Sequence, residues 1–430
     1  MQPVVVLVKP PEQSRFNFGA FSLGVLAAAV REMADVQILD ATDLTVAEAA
    51  REICSLKPDW VGITTMALSS LMPASELIKS LKPSLPKSRI IVGGHGASMQ
   101  PEPILQAGAD AVVRGEGEWV LKRLLEWGIE ANTPGLVQYR DGKFRSGPDQ
   151  PLISPLDDLP SPARDLMPPP KNQVHLMETS RGCPHDCRFC ETTRFYGRRW
   201  RYQTPHRVVA EVQRLIEERE AWIIEITDDN FAASRRRVMQ ICEGLMSREL
   251  PAFFLLSARA DDLLALPELL PAMARARMLR ISVGVETLSP ELARSAGKYI
   301  SLENYRKLFE RMRELGMFSV ASFIIGLPGE TDEQREHALE LALAAGPDSA
   351  QFVPFYPYPG IPLAEGYLSA APSTASMRRA EDLTHDFYRN AHVHSRLEKA
   401  AQQENIRAYL ARGTLEKYGI TIPKHSAVHS

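Results

Sequence analysis

The sequence predicts an α/β chain: an N-terminal doubly wound parallel sheet of Rossmann-like type, then a partial (β/α)6 barrel resembling an opened TIM barrel, then a helical C-terminal region. Three observations predict this. β-branched runs alternate with helix-length amphipathic stretches in two series, over residues 3–125 and 175–355, and such alternation builds parallel sheets. A proline-rich stretch, residues 151–170, separates the series. Beyond residue 371 the sequence is polar and alanine-rich, with helical text only.

In the first series, strands are expected over 4–8, 36–39, 60–64, 89–92 and 111–113, with helices over 23–33, 48–56, 73–81 and 101–106. Ligands of such a sheet gather at the carboxyl ends of its strands. Gly93-Gly94-His95-Gly96 lies at one of those ends, where a backbone without Cβ atoms either approaches a ligand or makes a tight turn. Residues 131–172 read as a linker carrying a hairpin turned at Asp141-Gly142. The expected domains are thus 1–130, the linker 131–172, a barrel over 173–368 and a helical region over 369–430.

In the second series, strands are expected over 222–227, 253–257, 280–285, 319–325 and 350–355, with helices over 208–217, 236–246, 263–274, 302–315 and 332–345. Before them stands Arg181-Gly-Cys183-Pro-His-Asp-Cys187-Arg-Phe189-Cys190, which follows the apolar Val174, Leu176 and Met177. Three thiols so close in sequence can wrap one metal centre. Zinc normally takes a fourth Cys or His, here His185 or His206, whereas a cubane held by only three thiolates keeps one iron open for a small molecule. No second CxxC pair is present, and Cys54 and Cys242 are isolated in apolar helical text.

Strand ends supply further candidates. Asp228 and Asp229 either meet an ammonium or cap the next helix. Arg259 ends the next strand, and Glu286, two residues after Gly284, is a carboxylate that needs a partner such as a hydroxyl or an arginine. Gly326 opens the string Gly-Leu-Pro-Gly-Glu-Thr. Tyr356 and Tyr358 after the last strand face a substrate or pack. His385, His392 and His394 read as surface histidines.

The 430 residues are 44% apolar and 24% charged, enough to bury two domains. A net charge of −3 gives no nucleic-acid footprint. No apolar run approaches the ~18 residues of a membrane span, and the first residues read as a buried strand rather than a signal peptide. Five cysteines, three of them in one loop, make no disulfide framework, so the expected compartment is the cytoplasm.

The CxxxCxxC spacing with Phe189 before its last cysteine resembles the signature of the radical S-adenosylmethionine (radical SAM) superfamily. Phe18-Gly-Ala-Phe-Ser-Leu-Gly24, Asp59-Trp-Val-Gly-Ile-Thr64-Thr65, the Gly93-Gly94-His95-Gly96 turn and Asp110-Ala-Val-Val-Arg-Gly115-Glu116-Gly117-Glu118 resemble the cobalamin-binding domain of one subgroup. That subgroup holds the anaerobic magnesium-protoporphyrin ester cyclases and the radical SAM methylases.

The resemblance implies a 4Fe-4S cluster on Cys183, Cys187 and Cys190. It implies S-adenosylmethionine contacts from Phe189, Asp228, Asp229, Arg259, Gly284, Glu286 and Gly326, the glycines lying against adenine. Thr64, Ser69, Gly93, Gly94 and His95 would flank cobalamin. The DxHxxG histidine that replaces the cofactor's own base is missing, since residues 9–19 contain no histidine, so cobalt is expected to have no protein histidine below it. The implied partners are a flavodoxin- or ferredoxin-like reductant and a small-molecule substrate. The implied chemistry is hydrogen abstraction followed by cobalamin-dependent methyl transfer. The alternatives are a radical dehydratase, cyclase or rearrangement enzyme, and a non-catalytic cobalamin- or cluster-binding sensor.

Overall fold

The computed structural model describes residues 2–12, 19–130, 132–170, 173–366, 372–403 and 405–419. Phe18, most of the loop after the first strand and the tail beyond 419 lie outside the described residues. The chain forms two units: one comprises residues 1–176, 191–203 and 358–371, the other 177–190, 204–357 and 372–430.

The first unit is built on a seven-stranded sheet of order β2-β1-β3-β4-β5-β6-β7. Its strands are β1 (Val4–Lys9), β2 (Asp35–Asp40), β3 (Trp60–Thr64), β4 (Arg89–Gly93), β5 (Ala111–Val113), β6 (Leu136–Arg140) and β7 (Lys143–Ser146). Because strand side chains alternate, Val6 and Val8 of β1 enter one hydrophobic core while Val5 and Leu7 enter another. Both faces are therefore covered, as parallel strands require. The order reverses between β1 and β3, which puts the ligand-bearing crevice of such a sheet at the ends of those strands.

The expected hairpin is present, with Arg140 paired to Lys143 across Asp141 (φ 52°) and Gly142 (φ 74°). It does more than link. β6 pairs antiparallel with β5, Val112 opposite Val137, so the hairpin continues the sheet. The Glu116 carboxylate ties down two later segments of this unit, accepting from Arg201 Nη1 at 2.9 Å and from the Ile153 N–H at 2.7 Å.

The second sheet has β8 (Val174–Met177) at one edge. After the two-residue strands β9 (Ser180–Arg181) and β10 (Arg201–Tyr202) come β11 (Ile223–Ile226), β12 (Phe253–Ala258), β13 (Met278–Glu286), β14 (Phe318–Ile325) and β15 (Ser349–Pro354). The order is β15-β14-β13-β12-β11-β8, with β11 to β15 pairing parallel in sequence order. Each crossover is helical, which gives the open six-stranded barrel wall expected.

The C-terminal region is not a loose tail. Helix Thr374–Arg389 lies along β15, where Thr384 Oγ1 accepts from the Phe352 N–H at 3.0 Å and Tyr388 Oη donates to the Ala350 carbonyl at 2.9 Å. No described helix is long and apolar enough to cross a membrane.

Candidate functional site

In the second unit the cysteine loop is held open by the end of β11. Asp228, 3% exposed, accepts four hydrogen bonds: from the Thr179 N–H (2.6 Å) and Oγ1 (2.5 Å), and from the Ser180 N–H (2.9 Å) and Oγ (2.6 Å). Asp229 Oδ2 accepts from the Gly182 N–H at 3.0 Å, where Gly182 takes φ 79° and lets the chain turn into the first cysteine. The two carboxylates, expected from sequence to meet an ammonium or cap the next helix, both fasten the loop instead. Arg237 Nη2 adds a bond to the Thr179 carbonyl at 2.7 Å, and the Arg188 N–H donates to the Ala296 carbonyl at 3.0 Å.

None of the three thiols is in a disulfide, Cys187 being buried and Cys183 and Cys190 half-buried. Burial pushes the Cys183 thiol above its ordinary range, and the neighbouring Asp229 and Cys187 add to that. Thiolates on one zinc at ~2.3 Å would sit ~3.8 Å apart. The only described His, Cys, Asp or Glu donors gathered in threes within 4.8 Å are His185, Asp261 and Asp262, with no cysteine among them. His185 Nε2 instead lies 2.9 Å from Asp262 Oδ2, which also accepts from Asn230 Nδ2 at 2.7 Å. Three sulfurs outside any disulfide thus stand on one pinned loop, as the thiol ligands of one centre must.

Arg259 joins these two groups. Its Nε and Nη2 grip Asp261 at 3.0 and 2.7 Å, and its Nη1 donates to Cys187 Sγ at 2.8 Å. Burial opposes the guanidinium charge, but Asp261 and the sulfurs of Cys187 and Cys183 outweigh it and raise the arginine's pKa. That positive charge answers Asp261, while Asp262 is taken by Asn230 and His185.

Glu286 ends β13 in a left-handed conformation (φ 68°), immediately after a register shift against β14 that begins at Gly284. Its partner is Lys298, with Nζ at 2.8 Å and side chains only 12% and 5% exposed. The sequence pointed to a hydroxyl or an arginine; the lysine, twelve residues on, carried no signal. A Cβ at Gly284 would meet the charged ends of this pair, so a larger residue there would push Glu286 or Lys298 aside. At Gly326 (φ 84°) the N–H donates to Glu330 Oε2 at 2.6 Å. Phe189 is half-buried in the second unit. Tyr356, 36% exposed, belongs to the second unit and Tyr358 to the first.

In the first unit the predicted strand ends are stitched together. The Thr65 N–H and Oγ1 donate to the Gly93 carbonyl at 2.8 and 2.9 Å, and Thr65 Oγ1 accepts from the Ala97 N–H at 2.8 Å. Gly94 (φ 94°) and Gly96 are pressed so close to the backbones of Thr65 and Ala67 that a Cβ at either would clash. These glycines serve the join of two turns. Thr64 is buried, Ser69 Oγ donates to Glu12 Oε1 at 3.1 Å, and Met66 is 40% exposed beside Thr64. His95 stacks on Phe195 at 3.9 Å with Nδ1 3.5 Å from Glu191 Oε1, both on the helix Glu191–Tyr196 that follows the last loop cysteine. The sequence reading missed that helix, along with Thr179, Ser180, Asn230, Asp261 and Lys298. Only Asp261 carried a signal, two residues after Arg259 in the first turn of helix Ala260–Leu264.

Comparison with known proteins gives the family. The radical SAM superfamily pattern matches residues 177–342, and the B12 binding domain pattern matches residues 15–125. An uncharacterized methyltransferase of Pyrococcus horikoshii is 32% identical, over 84% of this chain and 82% of that protein. The anaerobic magnesium-protoporphyrin IX monomethyl ester cyclase of Rubrivivax gelatinosus is 28% identical over 76% of this chain, which spans 61% of the cyclase. The solved radical SAM methyltransferase TsrM from Kitasatospora setae, with cobalamin and a 4Fe-4S cluster bound, has the same fold (TM-score 0.71, 20% identity, 85% of this chain and 77% of that one).

Proposed function

This chain belongs to the radical SAM superfamily, in the group that carries a B12 binding domain, and from that membership we propose that it transfers a methyl group to an unactivated carbon of a small molecule. It is a cobalamin-dependent radical SAM enzyme whose cofactors are a 4Fe-4S cluster, S-adenosylmethionine and cobalamin, so the reading as a sensor without catalysis falls away. When bound, these groups supply reductive cleavage of the sulfonium, hydrogen abstraction and a methyl donor.

The protein's part is to position and to shelter. Cys183, Cys187 and Cys190 would hold the cluster, on a loop whose entry is fixed by Asp228 and Asp229. On this reading Phe189, Gly284, Glu286 and Gly326 face S-adenosylmethionine, with Lys298 neutralising Glu286, and Arg259 stands between the cluster and that cofactor. Thr64, Ser69, Gly93 and Gly94 would flank the corrin and His95 would meet the nucleotide tail, while Tyr356 or Tyr358 would meet the substrate. A flavodoxin- or ferredoxin-like protein supplies the electron, in the reducing cytoplasm that a free-thiol loop requires.

The observation that carries the proposal is the joining, in one chain, of a three-thiol loop at the head of a parallel barrel wall with a cobalamin-type sheet, at 32% identity to an uncharacterized methyltransferase. Similarity to the cyclase favours a second reading, in which the radical step closes a ring and no methyl group moves. Anaerobically reconstituted protein, reduced and given methyl-labelled S-adenosylmethionine, separates the two. Methyl transfer predicts S-adenosylhomocysteine alongside 5'-deoxyadenosine, whereas 5'-deoxyadenosine alone favours cyclisation or rearrangement.

A further inference from the structure

We propose that Arg259, aimed by Asp261, donates a hydrogen bond to the Cys187 ligand sulfur and thereby raises the reduction potential of the cluster. This rests on the assignment of the three-thiol loop to a 4Fe-4S cluster. The Cys187 thiol stands where a thiolate bound to iron would be.

A guanidinium has two usable edges and a fixed fork. Here the Nε and Nη2 edge is taken by both oxygens of Asp261, at 3.0 and 2.7 Å, which leaves Nη1 directed at Cys187 Sγ at 2.8 Å. The Arg259 backbone N–H is itself held by Asn230 Oδ1 at 3.2 Å, and the arginine side chain is only 11% exposed. The donor is therefore oriented before any cofactor arrives.

Reduction adds one electron, and one negative charge, to a cluster that already carries anionic sulfurs. A fixed N–H donor and a full positive charge beside one sulfur favour the more negative state, and hydrogen bonds to cluster sulfurs are among the features that set such potentials. Cys187, the buried thiol of the three, is the one where low local polarity gives such a contact the most weight. Asp261 does not touch a sulfur; it is a positioning residue, acting through the arginine. A lysine at 259 could not grip a carboxylate along two bonds while directing a third donor at sulfur.

The test is an EPR-monitored potential titration of the reconstituted cluster without S-adenosylmethionine, in wild type, Arg259→Lys, Arg259→Gln and Asp261→Asn. The expected result is a fall in potential for Arg259→Gln of about tenfold in the reduction equilibrium, ~59 mV for one electron. Arg259→Lys and Asp261→Asn fall in the same direction by less, with iron and sulfide content as in wild type. If Arg259→Gln fails to assemble a cluster, Asp261→Asn still decides the matter, because its carboxylate lies one residue away from any ligand. Potentials indifferent to these substitutions overturn this inference alone. A wild-type protein that takes up no cluster overturns the cluster assignment with it.

Discussion

Four hydrogen bonds converge on the Asp228 carboxylate, and each of its donors belongs to Thr179 or Ser180 at the entrance of the cysteine loop. Removing the acceptor leaves two backbone N–H groups and two hydroxyls buried without partners, at a cost of ~1–3 kcal/mol for such a group. Asp228→Ala should therefore destabilise the protein by about 3 kcal/mol in urea unfolding and lower the iron bound on reconstitution. Asp228→Asn, which keeps an acceptor for the N–H groups, should fall between. A second residue-scale prediction concerns Cys242, whose thiol burial pushes up from 9.0 to about 12. The native protein then keeps this proton at a pH where the unfolded chain releases it. The stabilisation is complete below about pH 9 and is lost as pH rises toward about 12. The stability advantage of wild type over Cys242→Ala should shrink above pH 9 by at most ~1.4 kcal/mol per pH unit. Urea unfolding at two pH values, one on either side of that onset, measures it.

At the scale of an element, the end of β13 departs most from regular geometry. The register shift and the left-handed Glu286 re-aim a carboxylate that a regular strand would have directed elsewhere, and Lys298 compensates its charge. Backbone strain held by a buried ion pair gathers where a site is being shaped. Lys298→Met should cost about 3 kcal/mol, since a buried carboxylate loses its partner, and Glu286→Gln with Lys298→Met should recover part of that loss. Urea unfolding of Lys298→Met, Glu286→Gln and the double variant gives the coupling. On the assignment of Glu286 to the cofactor side, 5'-deoxyadenosine formation should stay low in the double variant although its stability returns. The Thr65 and Gly93 turns of the first unit are the counterpart: two strand ends fused by hydrogen bonds and by glycines that no larger residue can replace.

For the whole molecule, an open barrel wall leaves an edge strand that must be covered, and helix Thr374–Arg389 covers β15. The helices after it are fastened beneath the same sheet. Asp348, 1% exposed, accepts from Arg313 Nε at 3.3 Å, Arg407 Nη2 at 2.9 Å and the Ser319 N–H at 3.0 Å, while Arg396 Nη2 donates to the Pro347 carbonyl at 2.6 Å. Burial lowers the Arg396 pKa, and the positive charge of Arg313 lowers it further. Asp348→Ala would leave these guanidiniums facing one another without their shared carboxylate, for a loss of about 3 kcal/mol in urea unfolding. The cluster loop shares none of these contacts, so iron loading should be retained.

Periodicity and cysteine spacing were enough to identify two parallel-sheet domains, the hairpin turn at Asp141-Gly142 and the three thiols, because each of these is written in residues close together in the chain. Strand ends could be located for the same reason, so Asp228, Arg259 and Glu286 stood out. Their partners did not. Asp228 holds a loop some fifty residues earlier, Arg259 reaches Cys187 seventy-two residues away, and Lys298 meets Glu286 where the register of β13 shifts. Which buried carboxylate takes which donor is settled by the cost of leaving either unpaired in a packed interior. That cost exists only once the strands have brought distant segments together, so it was decided by the tertiary structure.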